Sequence, residues 1–329
     1  MKKGLLISLV LLLTIFTKAQ NVYRYSQFNF LKSMYNPGAL ASDARLSADL
    51  VYRNQWVGLA GAPTTIGLNV ASELTSNMAV GLNFCSDKVG LNQSTSISAM
   101  YSYRVVFAER QYLSLGLGLG ADNVISDLAS ASTTMPNDPA FAQSYNLWKL
   151  NASLGAYYRT SKGYVGLSIP QLFQQSPSGT ESGFNIPRWH YMLIGGYYLE
   201  IGENAYFNPN IQIKYTKNAP IQGDFLLRGV IGSVGVSLGY RTENALIAGA
   251  DFMIAGKLRV GYSFNYGIGS LTRVKGASHE IHLGFGLPYY FSSDSFSGQK
   301  FIGRNGKFRR NYQLRYNRSN NLYRVKSRN

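Results

Sequence analysis

The chain has 329 residues, a formal net charge of +16, 34 Gly, 24 Tyr and a single cysteine, Cys85. After Gln20 no apolar stretch approaches the ~20 residues that a spanning helix needs, which excludes a helical inner-membrane protein. One cysteine excludes an intramolecular disulfide, and Cys85 reads as a small packed residue in a strand rather than a nucleophile.

The chain opens with a processing segment. Lys2 and Lys3 form a positive start, Leu5 to Phe16 is an apolar run too short to cross a membrane, and Thr17-Lys18-Ala19 supplies a small residue for cleavage. Residues 1–19 are therefore expected to be a signal peptide, and residues 20–44 an N-terminal segment in the periplasm or in a lumen.

From Arg45 to Phe291 one theme repeats: ten to thirteen alternating residues, then a turn. In the first stretch Leu46, Ala48, Leu50 and Tyr52 point one way and Ser47, Asp49, Val51 and Arg53 the other, the period of two of a strand between unlike environments. The pattern recurs at Ile66–Val70, Met78–Phe84, Ile97–Tyr103, Leu113–Leu119, Leu150–Tyr158, Val165–Ile169, Trp189–Tyr197, Ile211–Tyr215, Phe225–Ile231, Val234–Tyr240, Leu246–Phe252, Leu258–Phe264 and Ile281–Leu287. That predicts about fourteen strands, an even number, as in single-chain bacterial barrels.

Two features favour a transmembrane barrel over a soluble sandwich or propeller. Asp49, Arg53, Glu73, Arg104, Arg159, Glu200, Lys214, Asp224, Arg228, Asp251, Arg259 and Glu280 all fall on the less apolar face. An Arg facing lipid at mid-membrane would cost ~2–4 kcal/mol. Connections after odd strands include the two longest, Val124 to Leu147 and Gln171 to Pro187. Those after even strands are short, such as Thr75-Ser76-Asn77 and Ala255-Gly256. Long outer loops with short periplasmic turns are the barrel arrangement. The small residues Gly116, Gly118 and Gly120 on the second face suit a lumen holding water. Pro209 and Pro288 are placed near strand ends, where a missing N–H is tolerated.

Chemistry is sparse. Ser278, Glu280 and His282 share the inward face, but neighbours on one face of a strand stand ~6.6 Å apart with parallel side chains, which disfavours a Ser–His contact. A lumenal hydrogen-bond network is expected instead, with Glu280 paired to an inward Arg such as Arg259. His279 and His282 face opposite ways, and no metal or cofactor is predicted. The tail, residues 292–329, holds ten Lys and Arg against Asp294 alone. It reads as a disordered periplasmic arm in which Lys307, Arg309, Arg310 and Arg315 could bind an acidic partner or the cell wall. An exported chain meets no nucleic acid.

The motifs resemble a known family. Tyr25-Ser26-Gln27-Phe28 followed by Asn36-Pro37 resembles the N-terminal signature of the PorP/SprF outer-membrane proteins of Bacteroidetes. Tyr52-Arg53-Asn54-Gln55-Trp56-Val57-Gly58-Leu59 with Ala62-Pro63-Thr64-Thr65 is similar to its most specific block, and Leu258 to Ser263 and Ser278-His279-Glu280-Ile281 to its last two strands. Gly38-Ala39-Leu40 departs from the family's usual Ala-Tyr pair. The resemblance implies a non-enzymatic component of the type IX secretion system, often tied to gliding motility. It also implies an exported adhesin or other secretion substrate, periplasmic motor proteins and outer-membrane lipid as partners. The expected role is docking; a general diffusion or nutrient porin is the alternative, and a lipid-modifying enzyme a third class.

Overall fold

A computed structural model describes residues 23–287 apart from 109–110, 131–143, 174–188, 202–203, 218, 243 and 269–275, together with the pairs 314–315 and 324–325. The expected signal peptide, Pro288, and Lys307, Arg309 and Arg310 of the tail lie outside the described residues. So does most of both long outer loops. In the tail, the backbone of Leu314–Arg315 pairs with Arg324–Val325.

The alternating segments form fourteen antiparallel strands that close on themselves. They are β1 (Leu46–Asn54), β2 (Thr64–Thr75), β3 (Met78–Val89), β4 (Asn92–Ala108), β5 (Gln111–Ser126), β6 (Tyr145–Arg159), β7 (Gly163–Ile169) and β8 (His190–Tyr197, continued by Leu199–Glu200). Next come β9 (Ala205–Thr216), β10 (Gln222–Ile231), β11 (Val234–Arg241), β12 (Ala245–Ile254), β13 (Leu258–Gly267) and β14 (Ser278–Leu287). Each pairs with its sequence neighbours, and β1 closes on β14 from Leu46 opposite Leu287 to Asn54 opposite His279. Closure satisfies every strand edge, which an apolar bilayer demands. No described helix is long and apolar enough to cross a membrane.

Side-chain alternation follows the pleat. Leu115, Leu117 and Leu119 of β5 stand exposed on the outer wall, while Ser114, Gly116 and Gly118 are buried inside. Of the charged strand residues, Asp49, Arg53, Arg104, Lys214, Asp224, Arg228, Asp251, Arg259 and Glu280 are buried inward. Glu200 stands opposite the inward Tyr206 and so keeps the expected face, but it is exposed there, in the short continuation of β8. Connections after even strands are all brief, from Ser76-Asn77 to Ala255-Gly256-Lys257, so that end is periplasmic.

Pro209 is not near a strand end. It lies within β9, opposite Leu227 of β10, and the ladder on its other side breaks. β8 pairs with Asn210 to Thr216, then resumes only at Tyr206 and Phe207. A proline has no N–H to give to that ladder. The break is bridged by the Asn208 amide, which donates to the Tyr197 carbonyl at 2.7 Å.

The interior is occupied by the chain's own N-terminal stretch, residues 23–44. It contains a four-residue helix α1 (Lys32–Tyr35) and a 3-10 turn, Pro37–Ala39. Asn36 separates them: its side chain accepts the Gly38 N–H at 2.8 Å, and Pro37 takes the first position of the turn, where its missing N–H is harmless. Tyr25, Phe28, Leu31, Tyr35, Leu40 and Ala44 are all buried within the barrel.

Candidate functional site

Four groups of contacts hold residues 23–44 in the lumen. Toward the outer mouth, the backbone N–H groups of Ser26 and Gln27 donate to the two oxygens of Glu280 on β14, at 2.8 and 2.9 Å. Arg53 of β1 donates to the same carboxylate at 3.2 Å and to the Ser26 hydroxyl at 3.0 Å. That hydroxyl in turn donates to Asn265 of β13. Beside this cluster, Arg24 reaches Asp224 of β10 at 2.7 Å, and Asp224 also accepts from Arg241 of β11 at 2.8 Å.

Deeper in the barrel, the Phe30 ring stacks on the His282 imidazole with centroids 5.4 Å apart. The guanidiniums of Arg259 and Arg228 lie 4.0 and 5.0 Å from the same ring. His282 contacts Asp49 of β1 at 3.0 Å, and Arg228 donates to Asp251 of β12 at 2.7 Å. An aromatic ring close to guanidiniums makes a favourable cation–π contact once water is excluded.

Toward the periplasm, Asp43 accepts from both Lys32 and Arg159 of β6, each at 2.6 Å. Lys32 also lies 4.3 Å above the Tyr164 ring. Arg104 of β4 donates to the Ala41 carbonyl at 3.1 Å. Buried charge without a partner is costly, so these pairs make the segment's seat specific.

Along β5, β6 and β7 the fit is largely steric. Asn36 donates through its amide to the carbonyls of Ala156 on β6 and Leu167 on β7, at 3.0 and 3.2 Å. A Cβ added at Gly155 would collide with the Asn36 side chain, and one at Gly116 with the Pro37 and Gly38 backbone. Glycine is required here because the segment's backbone presses directly on the wall. The expected watery lumen is thus largely filled. Gly118 and Gly120 border one remaining cavity, of about 70 Å³, near Cys85, Ser96 and Ser98, room for a few waters.

The motif residues divide among these places. Ser26, Gln27, Arg53 and Glu280 converge at the outer anchor, whereas Asn36 and Pro37 sit in the glycine cradle. Glu280 pairs with Arg53 and not with Arg259, whose Nε lies 3.8 Å from Asp251. Register decides this, because Arg53 stands directly opposite Glu280 across the closing seam. Gln55, Trp56, Pro63 and Thr64 belong to the outer rim, where Gln55 N–H donates to Pro63 O at 2.9 Å and Trp56 N–H to the Ser278 hydroxyl at 3.1 Å. Thr65 faces inward and donates to Asp87, and His279 faces outward against the Tyr262 hydroxyl at 2.7 Å. Arg24, Phe30, Lys32 and Asp43 carry no motif signal in the sequence. Apart from the Lys32–Asp43 pair, they act through residues far along the chain, so periodicity could not single them out.

The profile of PorP/SprF, described as type IX secretion system membrane proteins, matches residues 17–285, nearly the whole barrel and its lumenal segment. The chain belongs to the PorP/SprF family. A comparison with curated proteins finds no match. Among solved structures, this PorP/SprF protein is similar to the toluene transporter TbuX of Ralstonia pickettii (10% identity, 78% of this chain and 93% of that one, TM-score 0.48). It is also similar to the CymD monoaromatic hydrocarbon channel (15% identity, 77% and 91%, TM-score 0.45). A third is Omp33 of Acinetobacter baumannii (8% identity, 74% and 99%, TM-score 0.41). What those neighbours carry is a property of those proteins. The PorP/SprF chain is an outer-membrane β-barrel and a membrane component of type IX secretion.

Proposed function

We propose that this PorP/SprF barrel docks an exported cell-surface protein at its outer mouth and links it to the periplasmic secretion or gliding motor, without catalysing a reaction. The observation that carries this reading is the seated N-terminal segment. A diffusion porin, the second reading, works through an open aqueous path. Here that path is occupied by residues 23–44, held at both ends by paired buried charges. A closed barrel with a firm outer rim suits a receptor better than a sieve.

The non-enzymatic reading draws on the fate of the three inward residues of β14. Ser278 accepts from Trp56, Glu280 from Ser26, Gln27 and Arg53, and His282 contacts Asp49. Each serves the architecture, and no nucleophile–base pair forms among them. In this scheme the basic tail, with Lys307, Arg309, Arg310 and Arg315, meets an acidic periplasmic partner or the cell wall by salt-sensitive attraction.

The test is brief cross-linking of the tagged protein in native outer membranes, mild-detergent purification and mass spectrometry of what accompanies it. Recovery of an exported adhesin or of periplasmic motor proteins supports docking. Recovery of the barrel alone, with steady open conductance in a planar bilayer, turns the assignment to the porin.

A further inference from the structure

The most specific sequence block leaves one part without a role in the lumen: the connection from Gln55 to Pro63. It is a firmly built outer-rim loop. Val57 N–H donates to Ala277 O, Ala62 N–H to Leu59 O, and Gly90 N–H, in the β3–β4 turn, to Gly61 O. Between this loop and the strands lies a groove of about 360 Å³, lined by Asn54, Thr64, Lys88 and the loop backbone at Gly58 and Gly61. Gly58 and Gly90 have φ of +96° and +58°, and a Cβ at either would meet only open space, so the groove stays clear of side chains there.

The register places Asn54, Thr64 and Lys88 in one row across β1, β2 and β3. Their sequence neighbours Arg53, Thr65 and Asp87 point inward, so this row points away from the lumen, to the membrane side. Immediately toward the membrane centre, the same face carries Tyr52 and Ile66, then Leu50 and Leu68, all exposed to lipid. The groove therefore sits where the apolar band ends, on the outer side, as the long odd-numbered connections define it. Lys88 is the one charged residue lining it, and among the described residues it has no ion-pair partner. A lone ammonium with hydroxyl and amide donors beside it is suited to an anionic oxygen group.

We propose that this groove binds the phosphate of an outer-leaflet lipid head group. Lys88 supplies the charge, and Asn54 and Thr64 supply hydrogen bonds. The acyl chains lie down the face formed by Tyr52, Ile66, Leu50 and Leu68. The most specific sequence block thus both closes the lumen, through Arg53, and anchors the rim in the lipid.

The full-length protein in mild detergent, checked for folding by heat-modifiable gel mobility, is examined by native mass spectrometry with three probes: bisphosphorylated lipid A, the same lipid without phosphate, and inorganic phosphate. The wild type is expected to retain bisphosphorylated lipid A and to hold the dephosphorylated lipid about tenfold less well, with Lys88→Gln losing the difference. Lys257→Gln, in an exposed periplasmic turn, is the control and should bind as the wild type does. Equal retention by Lys88→Gln and wild type, or equal loss in Lys257→Gln, overturns the proposal. Inorganic phosphate binding as tightly as the lipid overturns the assignment to a lipid.

Discussion

Glu280 of the last strand accepts the backbone N–H of Ser26 at 2.8 Å. The contact joins the closing seam of the barrel to the start of the segment that fills it. Because the same carboxylate takes the Gln27 N–H and the Arg53 guanidinium, one side chain supports both the seam and the lumenal seat.

Glu280→Ala should therefore free the N-terminal segment. It strands a buried Arg53 and two backbone donors, a loss of ~3–5 kcal/mol for breaking a buried pair. Cys85, the sole cysteine, lies behind this segment with its Sγ 3.2 Å from the Tyr25 hydroxyl. Maleimide labelling of Cys85 should accelerate about a hundredfold or more in the variant. An unchanged rate would show that the segment does not depend on Glu280.

Gly155→Ala should unseat the cradle. The added Cβ meets the Asn36 side chain, and overpacking of this kind costs ~1–3 kcal/mol. Asn36→Ala in the same chain removes the clash along with the two amide bonds. The double variant should then be less damaged than the sum of the two single ones. Additive effects in conductance and labelling would argue against direct contact between the two positions.

Phe30→Ala should lower the thermal stability of the folded barrel by ~3–5 kcal/mol, the usual range for emptying a buried aromatic site. It also removes the ring against which Arg228, Arg259 and His282 pack. Phe30→Leu refills most of the volume but not the cation–π contacts, so its loss should be intermediate. Melting followed by gel mobility separates the two; equal melting of both variants would assign the effect to the lost ring contacts, and wild-type melting of Phe30→Leu would assign it to volume.

Leu117→Arg tests the outward face. Leu117 is exposed at the middle of β5, and an Arg there should cost ~2–4 kcal/mol of folding in lipid vesicles. Gln111→Arg, exposed at the periplasmic end of the same strand, should fold more readily, since depth sets that penalty. Equal folding of both would place mid-β5 away from the hydrocarbon.

The strand plan was legible because a bilayer imposes a local rule. Every second residue must tolerate lipid, so Leu115, Leu117 and Leu119 announce their face two residues at a time. The inward charges were legible for the same reason. Pro209 misled because a missing N–H can be absorbed by breaking the neighbouring strand, and that choice is made in β8, not in β9.

The sequence by itself determined the barrel and its fourteen alternating strands, and it marked Ser26, Asn36, Arg53 and Glu280 as motif residues. Only the tertiary structure decided the partners: Glu280 with Arg53 and Ser26, Asn36 with the glycine wall, and Phe30 with His282, Arg228 and Arg259. Alternation is a property of adjacent residues and survives in one dimension. The filling of the lumen joins residues some two hundred positions apart, such as Arg24 and Asp224, which only barrel closure brings within reach.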